Sequence, residues 1–234
     1  MENNLSLISI IVPVYNEEKT ILEVLKKLSD IKNSEYSFQV IVIDDGSNDG
    51  TNNILTENSN LIDKLITNET NSGKGYSVKR GLESSDGKYI IFQDADLEYD
   101  PADLIKFIKL IKKFQPDLII GSRFRYSDYT RSHNILNKFG NNFITFLFNI
   151  LYNTTFTDIY SCYACFKKDL INVNSLQTNG FEQHAEILCK VVKRGKKFYE
   201  VPINYDGRSY EEGKKIKFYH IFGVIYQIFI RRIL

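Results

Sequence analysis

The sequence predicts an α/β fold on a mostly parallel sheet flanked by helices. Three observations predict it. Short, almost wholly apolar runs rich in β-branched residues recur through the first half, as strands buried on both faces do. Stretches with helical spacing alternate with them. Polar, glycine-containing clusters follow the apolar runs, and ligands of such sheets bind beyond the carboxyl ends of strands. The 234 residues suit one sizeable domain.

Residues 7–13 (LISIIVP) read as the first buried strand. Residues 17–28 read as a helix with Ile21, Leu22, Leu25 and Leu28 on one face. Residues 38–43 form a second strand, stopped by the turn cluster DDGSNDGT. Ile54 and Leu55 fall in a short helix, Lys64–Thr67 is a third strand, and residues 75–82 are a further helix. Residues 89–93 make the fourth strand. Pro101 opens the next helix, at a position whose N–H has no helical partner anyway. Residues 117–121 are a fifth strand. The polar clusters YNEE, DDGS, DADLE and GSRF follow strands one, two, four and five, so their loops should converge on one crevice.

Two later stretches are amphipathic and very apolar. Residues 135–151 place Leu136, Phe139, Phe143, Leu147, Ile150 and Leu151 at helical spacing. Residues 216–234 do the same with Phe218, Ile221, Phe222, Ile225, Ile228 and Phe229. Lys214, Lys215 and Lys217 flank that tail on one side, Arg231 and Arg232 on the other. An apolar face with basic flanks is the pattern of a helix lying in a membrane surface. The alternative is packing on the core or in a dimer. The chain therefore divides into a main domain, 1–215, and an amphipathic, membrane-associating tail, 216–234. No uncharged apolar run reaches about 18 residues, so no transmembrane helix is expected.

Lys plus Arg is 30 and Asp plus Glu is 29, a balance that argues against nucleic acid as a partner. The three cysteines, Cys162, Cys165 and Cys189, are too few for a disulfide framework and fit a reducing compartment. Cys162 and Cys165 form a C-x-x-C with no second ligand pair, which reads as structural. The N-terminus has no basic segment before its apolar run, so no secretory leader is expected.

The chemistry should lie after the fourth strand. In an extended segment Asp94, Asp96 and Glu98 would share a face. Carboxylates that close repel unless a cation or proton intervenes. A hard divalent ion, Mg²⁺ or Mn²⁺, suits such oxygen ligands and keeps substrate phosphates in its shell. A solvated acidic turn is the alternative. Asp44 and Asp45 could serve a ribose or a base, or shape the turn and cap the helix together with Ser47 or Asp49. The loop Asn71-Ser72-Gly73-Lys74-Gly75 has the spacing of neither a Walker A loop nor a G-x-G-x-x-G fingerprint. Phosphate would then be held by metal and by cationic side chains, with Arg123, Arg208, Lys214 and Lys215 as candidates.

In order, PVYNEE, DDGSNDGT, NSGKGYSVKRG, QDADLEYDP, GSRF, DIYSCYACFKKDL and EVPINYDGRSYEEGKKI resemble the family 2 glycosyltransferases of the dolichyl-phosphate mannose synthase and polyprenyl-phosphate glycosyltransferase type. The likeness spans residues 7–217. It implies a GT-A fold and inverting transfer of a sugar from a GDP- or UDP-linked donor to dolichyl or undecaprenyl phosphate, with Mg²⁺ or Mn²⁺. It implies a peripheral protein on the cytoplasmic face of a membrane, as a homodimer or with a membrane subunit. Residue by residue, Pro13, Tyr15 and Glu17 match the nucleotide pocket, and Ile43 and Asp45 match positions near base and ribose. Asp94, Ala95, Asp96 and Glu98 match the donor and metal site, and Arg123 a phosphate-binding arginine. Arg208 and Lys214 match a mobile basic segment over the phosphates. Asp158 matches an acidic residue near the acceptor, where it would position rather than deprotonate. Asp96, Asp158 and Arg123 are thus the expected catalytic residues. Ala164 stands where the family often has a basic residue. Two rival readings remain: a family 2 enzyme with a saccharide hydroxyl as acceptor, and a non-catalytic sugar-nucleotide-binding subunit.

Overall fold

The computed structural model describes residues 7–32, 37–131, 135–209, 211–212 and 219–233. Its strands are β1 (Ile8–Val14), β2 (Phe38–Asp44), β3 (Lys64–Thr67), β4 (Tyr89–Phe92), β5 (Leu118–Ser122), β6 (Ala164–Lys167) and β7 (Phe198–Pro202). They form one sheet in the order β3-β2-β1-β4-β6-β5-β7. All neighbours are parallel except β6, which runs antiparallel between β4 and β5. The helices are α1 (Ile21–Ile31), α2 (Thr51–Glu57), α3 (Lys74–Ser84), α4 (Leu104–Phe114), α5 (Ile135–Tyr152), α6 (Gln183–Arg194) and α7 (His220–Ile233).

β1 to β5 lie where the apolar runs predict them. Every residue of β4 and β5 is buried, as a strand covered on both faces must be. One core layer joins α1 and α4 to the sheet, through residues such as Leu25, Leu28, Phe107 and Ile108. The other joins α3, α5, α6 and α7, through Val78, Phe148, Leu188 and Ile228. Gly81 of α3 lets that helix press on the sheet: a Cβ there would meet Ile11 Cγ2 at 2.5 Å and Ile43 Cδ1 at 2.9 Å. β1 has β2 on one side and β4 on the other. Its crossovers therefore leave in opposite directions, which opens a crevice at the carboxyl ends of β1 and β4.

α5 and α7 pack together and each keeps an outer apolar face. Inward, α5 buries Ile144 and Phe148, and α7 buries Val224 and Ile228. Tyr152 Oη donates to the Ile228 carbonyl at 3.0 Å. Outward, Phe139, Phe146, Ile150, Phe222 and Tyr226 are exposed. No helix among the described residues is long and apolar enough to cross a membrane. Lys214, Lys215, Lys217 and Phe218 lie outside the described residues.

Candidate active site

The acidic cluster leaves β4 as a turn, not as the extended segment the alternation argument assumed. Leu97 has φ +62°, and the Glu98 N–H donates to Asp96 Oδ1 at 3.1 Å. The turn still leaves Asp94, Asp96 and Glu98 lining one cavity of about 440 Å³, together with Glu17, Lys74 and Arg208. Each carboxylate is hydrogen-bonded, two of them to Arg208. Asp94 Oδ1 accepts from Lys74 Nζ at 2.5 Å. Asp96 Oδ2 accepts from Arg208 at 3.0 Å. Glu98 accepts from Tyr205 Oη at 2.8 Å and from the Arg208 N–H at 3.0 Å. Among the described residues no three acidic, His or Cys side chains already converge as a metal-binding cluster.

Arg208 is the hub. Its guanidinium makes two bonds of 3.1 Å to Glu17 as well as the one to Asp96. Burial, then the charges of Asp94 and Glu98, push the Asp96 carboxyl up to about 7, against the pull of Arg208 and Lys74. Burial would lower the Lys74 pKa, but the Asp94 carboxylate outweighs it and holds the ammonium firmly charged. The acidic rim thus calls for positive charge, and two protein cations now supply it. Asp94, Asp96 and Glu98 are hard oxygen donors facing one cavity. That donor set fits Mg²⁺ or Mn²⁺.

Asp44 and Asp45 divide the work after β2. Asp44 shapes the turn, accepting from the Ser47 N–H at 3.0 Å and from Asn52 at 2.9 Å. Asp45 lines the cavity and holds the glycine-rich loop, accepting from the N–H groups of Ser72 at 3.1 Å and Gly73 at 2.8 Å. Asn68 supports it with a bond of 2.6 Å. Gly73 takes φ +96°, and a Cβ there would stand 2.7 Å from the Asn179 carbonyl oxygen. That left-handed step delivers Lys74, the first residue of α3, to Asp94. Asp49 accepts from the Thr51 N–H at 2.9 Å at the start of α2.

Pro13, Tyr15, Glu17 and Ala95 all line the cavity. The Ala95 carbonyl accepts from Thr20 Oγ1 at 2.7 Å, which ties the acidic turn to the approach of α1. Ile43 is different. Its side chain is fully buried under α3 and does not line the cavity, so contact with a base would have to come from other residues. Lys214 lies outside the described residues.

Arg123 and Asp158 form a closed pair. Asp158 Oδ2 accepts from the Arg123 Nε at 2.7 Å and its backbone N–H at 3.0 Å, and Oδ1 accepts from the guanidinium at 2.8 Å. Asp158 is fully buried. The Arg123 guanidinium also lies 5.1 Å from the Tyr205 ring centre, over its face. The resemblance casts Arg123 as a phosphate-binding arginine and Asp158 as a residue near the acceptor; here the two are paired with each other, with three hydrogen bonds on the carboxylate. Arg123 still reaches the cavity wall.

Sequence reasoning missed several wall residues. Lys74 stood only as part of a basic loop, yet it is the partner of Asp94. Tyr99, Tyr160 and Tyr205, inside matched motifs but assigned no role, line the cavity, as does Phe181, which lies in none. α5 and α7 add Leu136, Ile144 and Ile221 to the lining, together with the polar Asn137 and Asn141.

Comparisons with known proteins agree with this architecture. The family model for glycosyl transferase family 2 matches residues 9–173. The uncharacterized protein MJ0544 of Methanocaldococcus jannaschii is 30% identical over 220 residues, covering 88% of this chain and 93% of that one. The glycosyltransferase AglJ of Haloferax volcanii is 32% identical over 202 residues, covering 85% of this chain and 62% of that one. Among solved structures, glucosyl-3-phosphoglycerate synthase from Mycobacterium tuberculosis, with Mn²⁺, UDP and glucosyl-3-phosphoglycerate, superposes with a TM-score of 0.72 at 18% identity. That match covers 98% of this chain and 81% of the other. The S. aureus TarS fragment with UDP-GlcNAc gives 0.62 at 19% identity, over 96% of this chain and 66% of that one. The fold shared with these structures is the GT-A fold.

Proposed function

The chain belongs to glycosyl transferase family 2, and from that premise we propose that it moves a sugar from a nucleotide-diphosphate sugar to a polyprenyl phosphate at a membrane surface. One observation carries this reading. A single cavity is lined both by carboxylates and cations and by side chains of α5 and α7, the apolar Leu136, Ile144 and Ile221 beside Asn137 and Asn141. The charged residues suit a diphosphate with its metal. The apolar ones suit a hydrocarbon chain, and the same two helices carry exposed apolar faces.

Asp96, with Asp94 and Glu98, would hold the Mg²⁺ or Mn²⁺. When bound, that ion supplies Lewis-acid stabilisation of charge on the departing nucleoside diphosphate. Lys74 and Arg208 stand ready as fixed positive charges on the same rim. Tyr15 and Pro13 wall the nucleotide side, and Asp45 keeps the Gly73 turn rigid beneath it. A phosphate acceptor is ionised at neutral pH and needs no strong base. Asp158 fits that requirement, because its carboxylate is occupied by Arg123 and cannot reach a hydroxyl. Its role is to aim Arg123. A saccharide hydroxyl acceptor would require Asp158 or another carboxylate to take a proton, and the pairing with Arg123 takes Asp158 out of that role. The outward apolar faces of α5 and α7 support a peripheral position on a membrane, and the reading places it on the cytoplasmic face, where the resemblance puts it.

The test is radiolabel transfer. UDP- and GDP-linked sugars are offered with Mn²⁺ to undecaprenyl phosphate, dolichyl phosphate and free oligosaccharides. Label should enter the lipid phase. Labelled saccharide without labelled lipid would replace this reading by hydroxyl transfer.

A further inference from the structure

Arg208 joins three loops at the carboxyl ends of strands. Glu17 stands between β1 and α1, Asp96 and Glu98 follow β4, and Arg208 itself follows β7. Its guanidinium donates twice to Glu17 at 3.1 Å and once to Asp96 Oδ2 at 3.0 Å. Its Nε lies 3.5 Å from Glu98 Oε1, and its backbone N–H donates to that same oxygen at 3.0 Å.

The segment that carries Arg208 is itself fastened to Glu98. Tyr205 Oη donates to Glu98 Oε2 at 2.8 Å, and the Asp206 N–H donates to the Glu98 carbonyl at 3.0 Å. Residues 205–208 therefore engage both carboxylate oxygens of Glu98 and one of Asp96. Those two carboxylates are also proposed to hold the divalent ion. A cation on Asp96 Oδ2 would share that oxygen with the guanidinium, and like charges that close repel. The guanidinium is also incompletely matched where it stands: Nε is buried and makes no hydrogen bond. A diphosphate in the same cavity would offer its planar fork the paired oxygens that arginine binds best.

We propose that Arg208 stands in for the divalent ion until a nucleoside diphosphate arrives, so that the protein takes up ion and diphosphate together and holds the free ion poorly. The inference rests on the nucleotide-sugar reading above. Asp96 and Glu98 pass from Arg208 to the ion, and Arg208 passes to the diphosphate. Its charge stays on the same rim and changes partners. Glu98 makes the exchange cooperative, because drawing its carboxylate away also unfastens Tyr205 and the Arg208 backbone.

Mn²⁺ binding to the protein alone, read by electron paramagnetic resonance of the free ion, tests it. Arg208→Gln removes the guanidinium charge. Arg208→Lys keeps a charge but cannot bridge Glu17, Asp96 and Glu98 at once. Both variants should bind Mn²⁺ alone on the order of tenfold tighter than the native protein. Tighter binding needs a folded site, so the gain itself reports that the variants fold. Calorimetry then follows UDP and GDP with Mn²⁺ present. The one that binds the native protein should bind Arg208→Gln more weakly, since the contact to the diphosphate is gone. A gain of Mn²⁺ affinity in Arg208→Gln without one in Arg208→Lys would trace the effect to charge alone and overturn the exchange. No gain in either variant overturns it as well, with the nucleotide-sugar reading left standing if UDP or GDP binds. If neither UDP nor GDP binds the native protein with Mn²⁺, that reading falls, and the exchange, which needs the diphosphate, falls with it.

Discussion

Arg208 touches Glu17, Asp96 and Glu98 at once, and Lys74 touches Asp94, so two protein cations offset part of the charge of four carboxylates. Removing one carboxylate relieves crowding rather than leaving a charge stranded. Asp96→Ala should therefore keep its melting temperature. It should lose on the order of 10³-fold in turnover, the scale of a lost electrostatic contact to the transition state. Steady-state kinetics beside a thermal melt checks both halves, and near-native turnover would remove Asp96 from the chemistry. Asp158 should behave in the opposite way. Asp158→Ala strands a buried guanidinium, at a cost of about 3–5 kcal/mol. A protein this size loses roughly 2–4 °C per kcal/mol, so a fall of about 6–20 °C is expected. An inactive Asp158→Ala with an unshifted melt would return Asp158 to the reaction itself. The acidic side chains were legible in the sequence because a strand ended just before them. The Arg123–Asp158 pair was not. Its members are 35 residues apart, and an arginine after a strand reads the same whether it faces a phosphate or a carboxylate.

Between elements, Glu186 ties α6 to the loop before it and to α7. Its carboxylate is fully buried and accepts from the N–H groups of Gln177 and Thr178 and from Thr178 Oγ1. Arg231 of α7 stands 3.0 Å away and Lys190 2.9 Å away. Burial alone would raise the Glu186 pKa, but the bonds from Lys190, Thr178 and Gln177 outweigh it and hold the group below its ordinary 4.5. A depressed carboxyl contributes stability that is complete above the unfolded value and is lost as pH falls through the folded one. Resistance to urea should therefore fall below pH 4.5 in the native protein. Glu186→Gln should start less stable at neutral pH and lose less on acidification; an identical pH slope would show that other carboxylates set it. This polar knot also explains why α6 escaped sequence reading: Gln183 and Glu186 sit on its buried face and interrupt the apolar stripe. β6 was missed for another reason. It has four residues, ACFK, and two cysteines drew attention to a C-x-x-C spacing instead. β1, β2, β4 and β5 were legible because strands covered on both faces are apolar almost throughout.

For the whole molecule, the outer faces of α5 and α7 are where the proposed membrane contact can be tested. Phe139 is 71% exposed and Phe222 is 68% exposed, on helices that pack against each other. Monomeric soluble proteins rarely show contiguous apolar patches beyond a few hundred Å². Neither phenylalanine lines the cavity, so both can be changed without touching the proposed chemistry. Burying a phenylalanine fully contributes about 1.5–3 kcal/mol, and partial insertion of two gives about 3 kcal/mol together. The double substitution Phe139→Glu, Phe222→Glu should therefore lower binding to anionic lipid vesicles by on the order of a hundredfold. Repulsion between the new charges and the lipid headgroups adds to the loss. Nucleoside diphosphate binding should stay at its native value. If co-sedimentation with vesicles is unchanged while a dimer dissociates in sedimentation velocity, the face is covered by a second copy of the chain. The hydrocarbon of the acceptor would then have to enter from another side of the cavity.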